Sequence, residues 1–436
     1  MSLGGGTFVA QNKELPGAYI NFVSKSAATA ALSGRGIATM ALELDWGREG
    51  EIFEVTNGDF QKNSTEIFGY EYTSDKLKGL RDLFLNTRTL YAYRLNGGGK
   101  KAGNSLAEAR YCGVRGNDLK VALQVNADNA ALFDVRTILG TDVVDEQTVS
   151  KADELVDNRF LKWKAGATLE AAAAVPLTGG ENGTVRGEDH QAYLDKAESY
   201  AFNTMGAAVT DDTTKSLYAA YNKRLRDEMG VKFQLVLYDY AKADFMGVIS
   251  VNNRVLDEGW GEAGLVYWVT GASAGCAVNK SNQNRKYDGE FTVDTPYTQS
   301  QLKAAIKAGK FTFHLVGADV RVLEDINTMV TVSDTMGDIF KDNQTIRVID
   351  QIGNDIAVLF DTKYLGIVPN DAAGRISLWS DIVKHHEQLQ EIRAIENFSD
   401  ADVTVAQGET KKSVVVTDSV TVVNAMGKLY MTVTVA

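Results

Sequence analysis

Apolar and polar positions change their rhythm several times along the chain. Over residues 36–56 they alternate, with Ile37, Met40, Leu42 and Leu44, then Ile52, Phe53 and Val55. Alternation of this kind predicts half-buried strands. Asp45-Trp46-Gly47 and Asn57-Gly58 read as turns between them. Helical spacing comes next over 74–86, with Ser74 as cap and Leu77, Leu80, Leu83 and Phe84 on one face. Residues 88–295 mix the two rhythms. Strands are expected at 89–95, 119–125, 133–139, 231–238, 246–251 and 264–270, and helices at 188–200 and 210–229. Further helices are expected at 299–308, 334–361 and 376–395, with strands at 412–417 and 420–424.

These elements imply a multidomain α+β and α/β chain. It comprises a small β-rich N-terminal domain, an α/β middle domain and an α+β C-terminal domain, with extended terminal strand arms. The expected boundaries are an arm at 1–28, a β-rich domain at 29–95, a middle domain at 96–295, a C-terminal domain at 296–424 and a final arm strand at 425–436.

The closing segment alternates without interruption. Leu429, Met431, Val433 and Val435 point one way, and Tyr430, Thr432 and Thr434 the other. Eight residues of strand reach roughly 26 Å. Two readings remain open from the pattern alone. The strand either closes a sheet of its own domain or is donated to the sheet of a neighbour, since an exposed edge accepts an added strand.

Composition narrows the function classes. The chain has 436 residues, enough for two to four domains. Its formal charge of −12 argues against a general nucleic-acid binder. No run of eighteen apolar residues is present, so no membrane insertion is expected. The N-terminus shows no basic segment followed by an apolar one, so no secretory signal is expected. Two cysteines, Cys112 and Cys276, and four scattered histidines point to free thiols in a reducing cytosol and to no dedicated metal or cofactor site.

Chemical motifs are sparse. Gly271-Ala272-Ser273-Ala274-Gly275 matches the nucleophile elbow G-x-S-x-G after an apolar run, which makes an esterase acting through Ser273 the alternative reading. The residues after it, Cys276 to Asn284, are polar and turn-prone rather than an apolar helix, and nothing selects a partner among His314, His385 and His386. Gly97-Gly98-Gly99-Lys100-Lys101 lacks the leading glycine and the Ser or Thr of a phosphate loop, and reads as a glycine-rich linker. The segment 376–395 carries a charged face of Lys384, His385, His386, Glu387, Glu391 and Arg393, which reads as a solvated face or a docking surface.

The ordered set of short motifs resembles the contractile tail sheath proteins of bacteriophages and R-type bacteriocins, especially those of Gram-positive systems. The matching pieces run over nearly the whole chain. They are Pro16 to Phe22, Ser33 to Ala38 with Trp46-Gly47, Tyr111 to Leu119 and Leu177 to Gly183. In the last third come Leu323 to Thr328, Ile346 to Asp350, Tyr364 to Asn370 and Asn424 to Ala436. Gly427 stands where relatives commonly carry a charge.

The resemblance implies a structural, non-enzymatic subunit. It would polymerise helically as stacked hexameric rings around an inner tube and contract to drive that tube through a bacterial envelope. It implies partners in other copies of the chain, in the tube protein and in baseplate and tail terminator proteins, without direct contact to nucleic acid. It implies a place in the tail of a virion or bacteriocin particle, made and assembled in the host bacterial cytoplasm. On this resemblance the donated-strand reading takes over. The inter-subunit arms would be Phe8, Val9, Tyr19, Asn21 and Phe22 at one end, and Leu429, Tyr430, Met431, Thr432, Val433 and Thr434 at the other. Gly4-Gly5-Gly6, Gly34, Gly36 and Gly427 would be hinges. Lys384, His385 and Arg393 are the candidate tube-facing residues.

Overall fold

The computed structural model describes residues 32–435. Two compact units emerge. The larger takes residues 34–351 and 422–435, and the smaller takes residues 352–421 with the two residues that precede Gly34. The architecture is multidomain α+β, as the sequence predicts.

The larger unit is built on one seven-stranded sheet. Its order is Lys310–Phe311, Val248–Val251, Gln234–Tyr238, Thr204–Ala207, Ile37–Leu42, Thr89–Arg94 and Ile52–Thr56. All neighbours pair in parallel except the last, where Ile52–Thr56 runs antiparallel to Thr89–Arg94. Residues 29–95, expected to form a domain of their own, therefore contribute three strands to a sheet completed by residues 204–311. The expected boundary at 95/96 falls inside this unit.

Parallel strands need helical cover on both faces. Asn57–Phe68, Lys78–Phe84 and Leu265–Gly275 cover one face, in a core that includes Phe60, Leu83 and Trp268. Gly187–Ala197 and Asp212–Asp227 cover the other, around Tyr193, Tyr218 and Phe233.

Two elements of the larger unit differ in type from the sequence reading. Asn57-Gly58, read as a turn, opens the helix Asn57–Phe68. Thr56 caps it, and Asp59 returns a bond to the Thr56 backbone, so a capping box overrides the turn-forming pair. Residues 264–270, read as a strand, close the 3-10 turn Glu262–Gly264 and open the helix Leu265–Gly275. That helix is buried along almost its whole length, so its apolar run lacks the periodicity that separates a helix from a strand.

Between Thr89–Arg94 and Gly187–Ala197 the chain makes an antiparallel excursion. Its four-stranded sheet has the order Asp142–Val149, Phe133–Leu139, Leu119–Val125 and Ala172–Pro176. Its core includes Leu119, Val135 and Leu161, and Trp46 joins it.

The chain leaves for this excursion and returns from it through two glycine-rich stretches. Lys100 bridges Glu181 and Gly103 bridges Thr178. A Cβ on Gly183 would stand 1.9 Å from the Gly97 carbonyl oxygen, so only glycine lets the two backbones meet there. The expected linker is thus a tightly zipped crossing.

In the smaller unit, the helix Ala372–Glu391 packs on the hairpin Val403–Gln407 and Val414–Asp418. Leu378, Ile382, Val383 and Val403 form its core with Leu359 and Tyr364. The long helix expected at 334–361 is shorter. It spans Asn343–Leu359, with a 3-10 turn at Asp338–Lys341 before it and a π turn at Phe360–Tyr364 after it.

Candidate functional site

The most developed polar constellation lies at the start of the helix Asn343–Leu359. Asp342 sets that start, since its Oδ1 accepts the backbone N–H groups of Gln344 and Thr345 at 2.7 and 3.2 Å. The first turns then present Asn343, Gln344, Thr345, Arg347 and Asp350, all buried.

Arg347 donates to Asp325 at 2.6 Å, and both side chains are essentially inaccessible. The Asp325 carboxylate also accepts the Asn282 backbone N–H at 2.8 Å and the Asn343 amide at 3.0 Å. Burial alone would raise the Asp325 carboxyl. The Arg347 charge and these donors outweigh it and hold the group below its ordinary value. Asp350 takes a bidentate pair from Arg226, at 2.6 and 2.7 Å. Arg226 lies on the helix Asp212–Asp227, so this pair ties the Asn343 helix to the central sheet's cover.

This frame holds the root of the C-terminal segment. Gln344 donates its side-chain amide to the Val423 carbonyl at 2.9 Å, and its Oε1 accepts the Ala425 N–H at 2.9 Å. Residues 423 and 425 share one edge of an extended chain, so the carboxamide pairs with them much as a neighbouring strand would. Asn424 donates to the Thr345 hydroxyl at 3.1 Å. Beyond this clamp the segment is fully exposed: Leu429 is 84 % accessible and Val435 is 89 %. Among the described residues, 423–435 pair with no strand. Leu429, Tyr430, Met431, Thr432, Val433 and Thr434 all lie on this exposed stretch.

The sequence candidates fare unevenly. Phe8, Val9, Tyr19, Asn21 and Phe22 lie outside the described residues. Lys384 and Arg393 are exposed, but His385 is not. His385 turns into the smaller unit and meets Asp355 at 3.0 Å, so it cannot serve on an outer face of its helix. Ser273 is buried within a helix, and its hydroxyl has no partner among the described residues. The strand–turn–helix of a nucleophile elbow is not formed, and the esterase reading loses its geometry. Cys112 and Cys276 are both free and buried. No group of His, Cys, Asp and Glu suited to a metal occurs among the described residues. None of their helices is long and apolar enough to cross a membrane.

The short motifs near residues 325 and 347 now have a physical meaning, because they are the two halves of one buried ion pair. Family models match in the same order as the structure's parts. The domain III N-terminal region of tail sheath protein Gp18 matches 35–95, and the sheath β-sandwich domain matches 91–182. The sheath central domain matches 183–328 and the sheath C-terminal domain 335–436. The protein XkdK of the phage-like element PBSX of Bacillus subtilis is 30% identical over 99% of this chain and 100% of its own length. The chain belongs to the phage tail sheath family.

A crystal structure of the sheath tail protein of Desulfitobacterium hafniense superposes with a TM-score of 0.80 at 36% identity, covering 90% of this chain and 93% of that one. The helical sheath of the anti-feeding prophage, solved in its contracted state, shares the fold with a TM-score of 0.58 at 12% identity, over 97% and 99% of the two chains. This sheath protein is therefore a structural component of a particle's tail. The Gln344 clamp escaped sequence reasoning, since a lone glutamine in a helix carries no local signal. The arm it holds was visible as alternation.

Proposed function

We propose that this sheath subunit polymerises helically, as stacked hexameric rings around an inner tube, and contracts to drive the tube through a bacterial envelope. The observation that carries the reading is the C-terminal arm, rooted by Gln344 and, beyond it, paired with no strand among the described residues. Its apolar face of Leu429, Met431 and Val433 is exposed to water, a state that pairing with another subunit would relieve.

The smaller unit offers a receiving edge. Among the described residues, its hairpin Val403–Gln407 and Val414–Asp418 has two strands. Beside it lies a groove of about 90 Å³ lined by Tyr364, Leu365, Val368, Leu378 and Val414 among others. An arm added there would gain main-chain bonds and bury its apolar side. Head-to-tail contacts of this kind build rings where the rotation closes and open helical arrays where it does not. The likeness in fold to a sheath solved in a contracted state supports contraction.

The remaining partners in this reading are the tube, baseplate and terminator proteins, with assembly in the host bacterial cytoplasm. Lys384 and Arg393 remain candidates for the tube-facing surface.

Deleting residues 429–436 tests the arm. The expected result is a folded subunit that electron microscopy shows no longer forming tubes or sheaths. Polymers of unchanged appearance would refute the reading.

A further inference from the structure

The strand Ile52–Thr56 ends the seven-stranded sheet, and no strand pairs with its outer edge among the described residues. Its pairing with Thr89–Arg94 fixes which groups point outward. The Asn57 N–H donates to the Arg88 carbonyl at 3.0 Å, one step beyond the pair of Thr56 and Thr89. In an antiparallel ladder such bonded pairs alternate with unbonded ones. Phe53 and Val55 therefore bond to Thr89–Arg94, while the N–H and C=O groups of Ile52 and Glu54 point away from it. Among the described residues nothing bonds to these outward groups. An edge left this way is a template for an added strand.

A groove lies along this edge. Two cavities, of about 250 and about 390 Å³, share Arg48, Arg110 and Tyr111 in their walls. Phe53 and Glu54 line the first from the sheet, and Arg159 lines it from the antiparallel excursion. Lys162 lines the second. A wall opposite the edge suits a lone extended segment better than the edge of a second sheet.

The charges in the groove select the kind of segment. Most of its carboxylates are already engaged. Asp59 is held in the capping box of the Asn57 helix, Glu49 accepts the Gly98 N–H at 2.6 Å, and Glu66 pairs with Arg159 at 2.9 Å. Glu51 stands 3.9 Å from Arg48. Arg110 has no carboxylate partner among the described residues. It donates to the Asn158 carbonyl at 3.1 Å and lies 5.9 Å from the centre of the Tyr111 ring. Its planar fork keeps further donors free, a geometry that a carboxylate matches with two parallel bonds. The Arg48–Glu51 and Arg159–Glu66 pairs are largely exposed, so both exchange readily for an incoming acid. Glu54 is exposed and repels a carboxylate from its own position, which leaves Arg110 and Arg48 as the place for one.

We propose that this groove receives an extended, carboxylate-bearing segment of a partner protein. The segment adds a strand beside Ile52–Thr56 and seats an acidic side chain against Arg110 and Arg48. None of these residues belongs to the C-terminal arm, so the site is independent of the donated-arm reading.

The probe is a blocked heptapeptide alternating glutamate and threonine, added to the full chain and followed by calorimetry and hydrogen exchange. It should bind about tenfold more tightly than the same peptide with lysine in place of glutamate, and less tightly as salt is raised. It should slow amide exchange over residues 52–56 about tenfold. Methylating its backbone nitrogens should abolish both effects, because the main-chain bonds are then lost. Arg110→Ala should weaken binding about tenfold. Arg110 also holds the Asn158 carbonyl, so the exposed Arg48→Ala provides a second variant that leaves the fold intact, and it should weaken binding about threefold. Equal affinity for the glutamate and lysine peptides, or undiminished binding of the methylated one, would overturn the proposal. Inorganic phosphate slowing exchange at 52–56 as much as the peptide would reduce the groove to an ion site and overturn it too. Slowing that grows with protein concentration in the absence of peptide would assign the groove to a second copy of the chain instead.

Discussion

Asp325 and Arg347 meet at 2.6 Å in a place that water does not reach. Taking two charges out of water is costly, and the pair persists because Asn282 and Asn343 satisfy the carboxylate and the Lys280 carbonyl takes a second bond from the guanidinium. Removing one partner strands the other. Asp325→Ala should destabilise the subunit by about 3–5 kcal/mol, read as a lowered urea midpoint. Replacing both residues by apolar ones of similar volume should cost much less. Equal losses in the single and double variants would show that the pair is not the source of the effect.

The Gln344 clamp makes a smaller and more local prediction. Gln344→Ala removes two hydrogen bonds at the arm root, each worth about 1 kcal/mol net. The midpoint should shift slightly, while amide exchange at 423–425 rises strongly. Gln344→Glu keeps the acceptor for Ala425 but puts a second acceptor against the Val423 carbonyl, and should loosen the root as much as alanine does.

Much of this molecule is legible in its sequence. The strands Leu119–Val125 and Phe133–Leu139 lie where alternation places them, because each has one face on the core and one towards solvent. The helix Leu265–Gly275 does not, because burial on nearly every side erases the contrast on which periodicity depends. His385 was hidden for a related reason. Histidine is polar enough to read as surface, and only the carboxylate of Asp355, thirty residues earlier, turns it inward. The two motifs at 325 and 347 could be recognised, but their pairing could not, since nothing local links residues so far apart.

The misleading serine motif gives a sharp contrast. A Cβ on Gly275 would stand 1.9 Å from the Asn86 carbonyl oxygen, and one on Gly271 would stand 2.3 Å from that of Leu83. The glycines of the motif let the Leu265 helix press against the end of the Lys78 helix. Gly275→Ala should therefore cost at least about 1–3 kcal/mol through overpacking. Ser273→Ala removes a buried hydroxyl that has no partner among the described residues, and should be neutral or slightly stabilising in the same urea assay. An esterase would show the reverse importance. Loss of hydrolysis of an activated ester in Ser273→Ala would reinstate that reading.

Asp82 gives a prediction in pH. It is fully buried on the Lys78 helix, where burial pushes its carboxyl up to about 6 from 3.8, although the Tyr287 hydroxyl and the Glu290 N–H partly offset this. Between those two values the folded chain holds a proton that the unfolded chain has released. Stability contributed by this site is therefore greatest below about pH 4, falls as pH rises towards 6, and is flat above. The swing is about 3 kcal/mol at most. Carboxylates held low, such as Asp45 and Asp325, act in the opposite direction, so the total profile need not fall. The difference between wild type and Asp82→Asn isolates the site. Asparagine keeps an acceptor for Tyr287 or Glu290 and carries no charge, so its stability relative to wild type should improve steadily from pH 4 to pH 6.5 in urea unfolding. A difference that stays constant over that range would mean that Asp82 is ionised in the fold throughout.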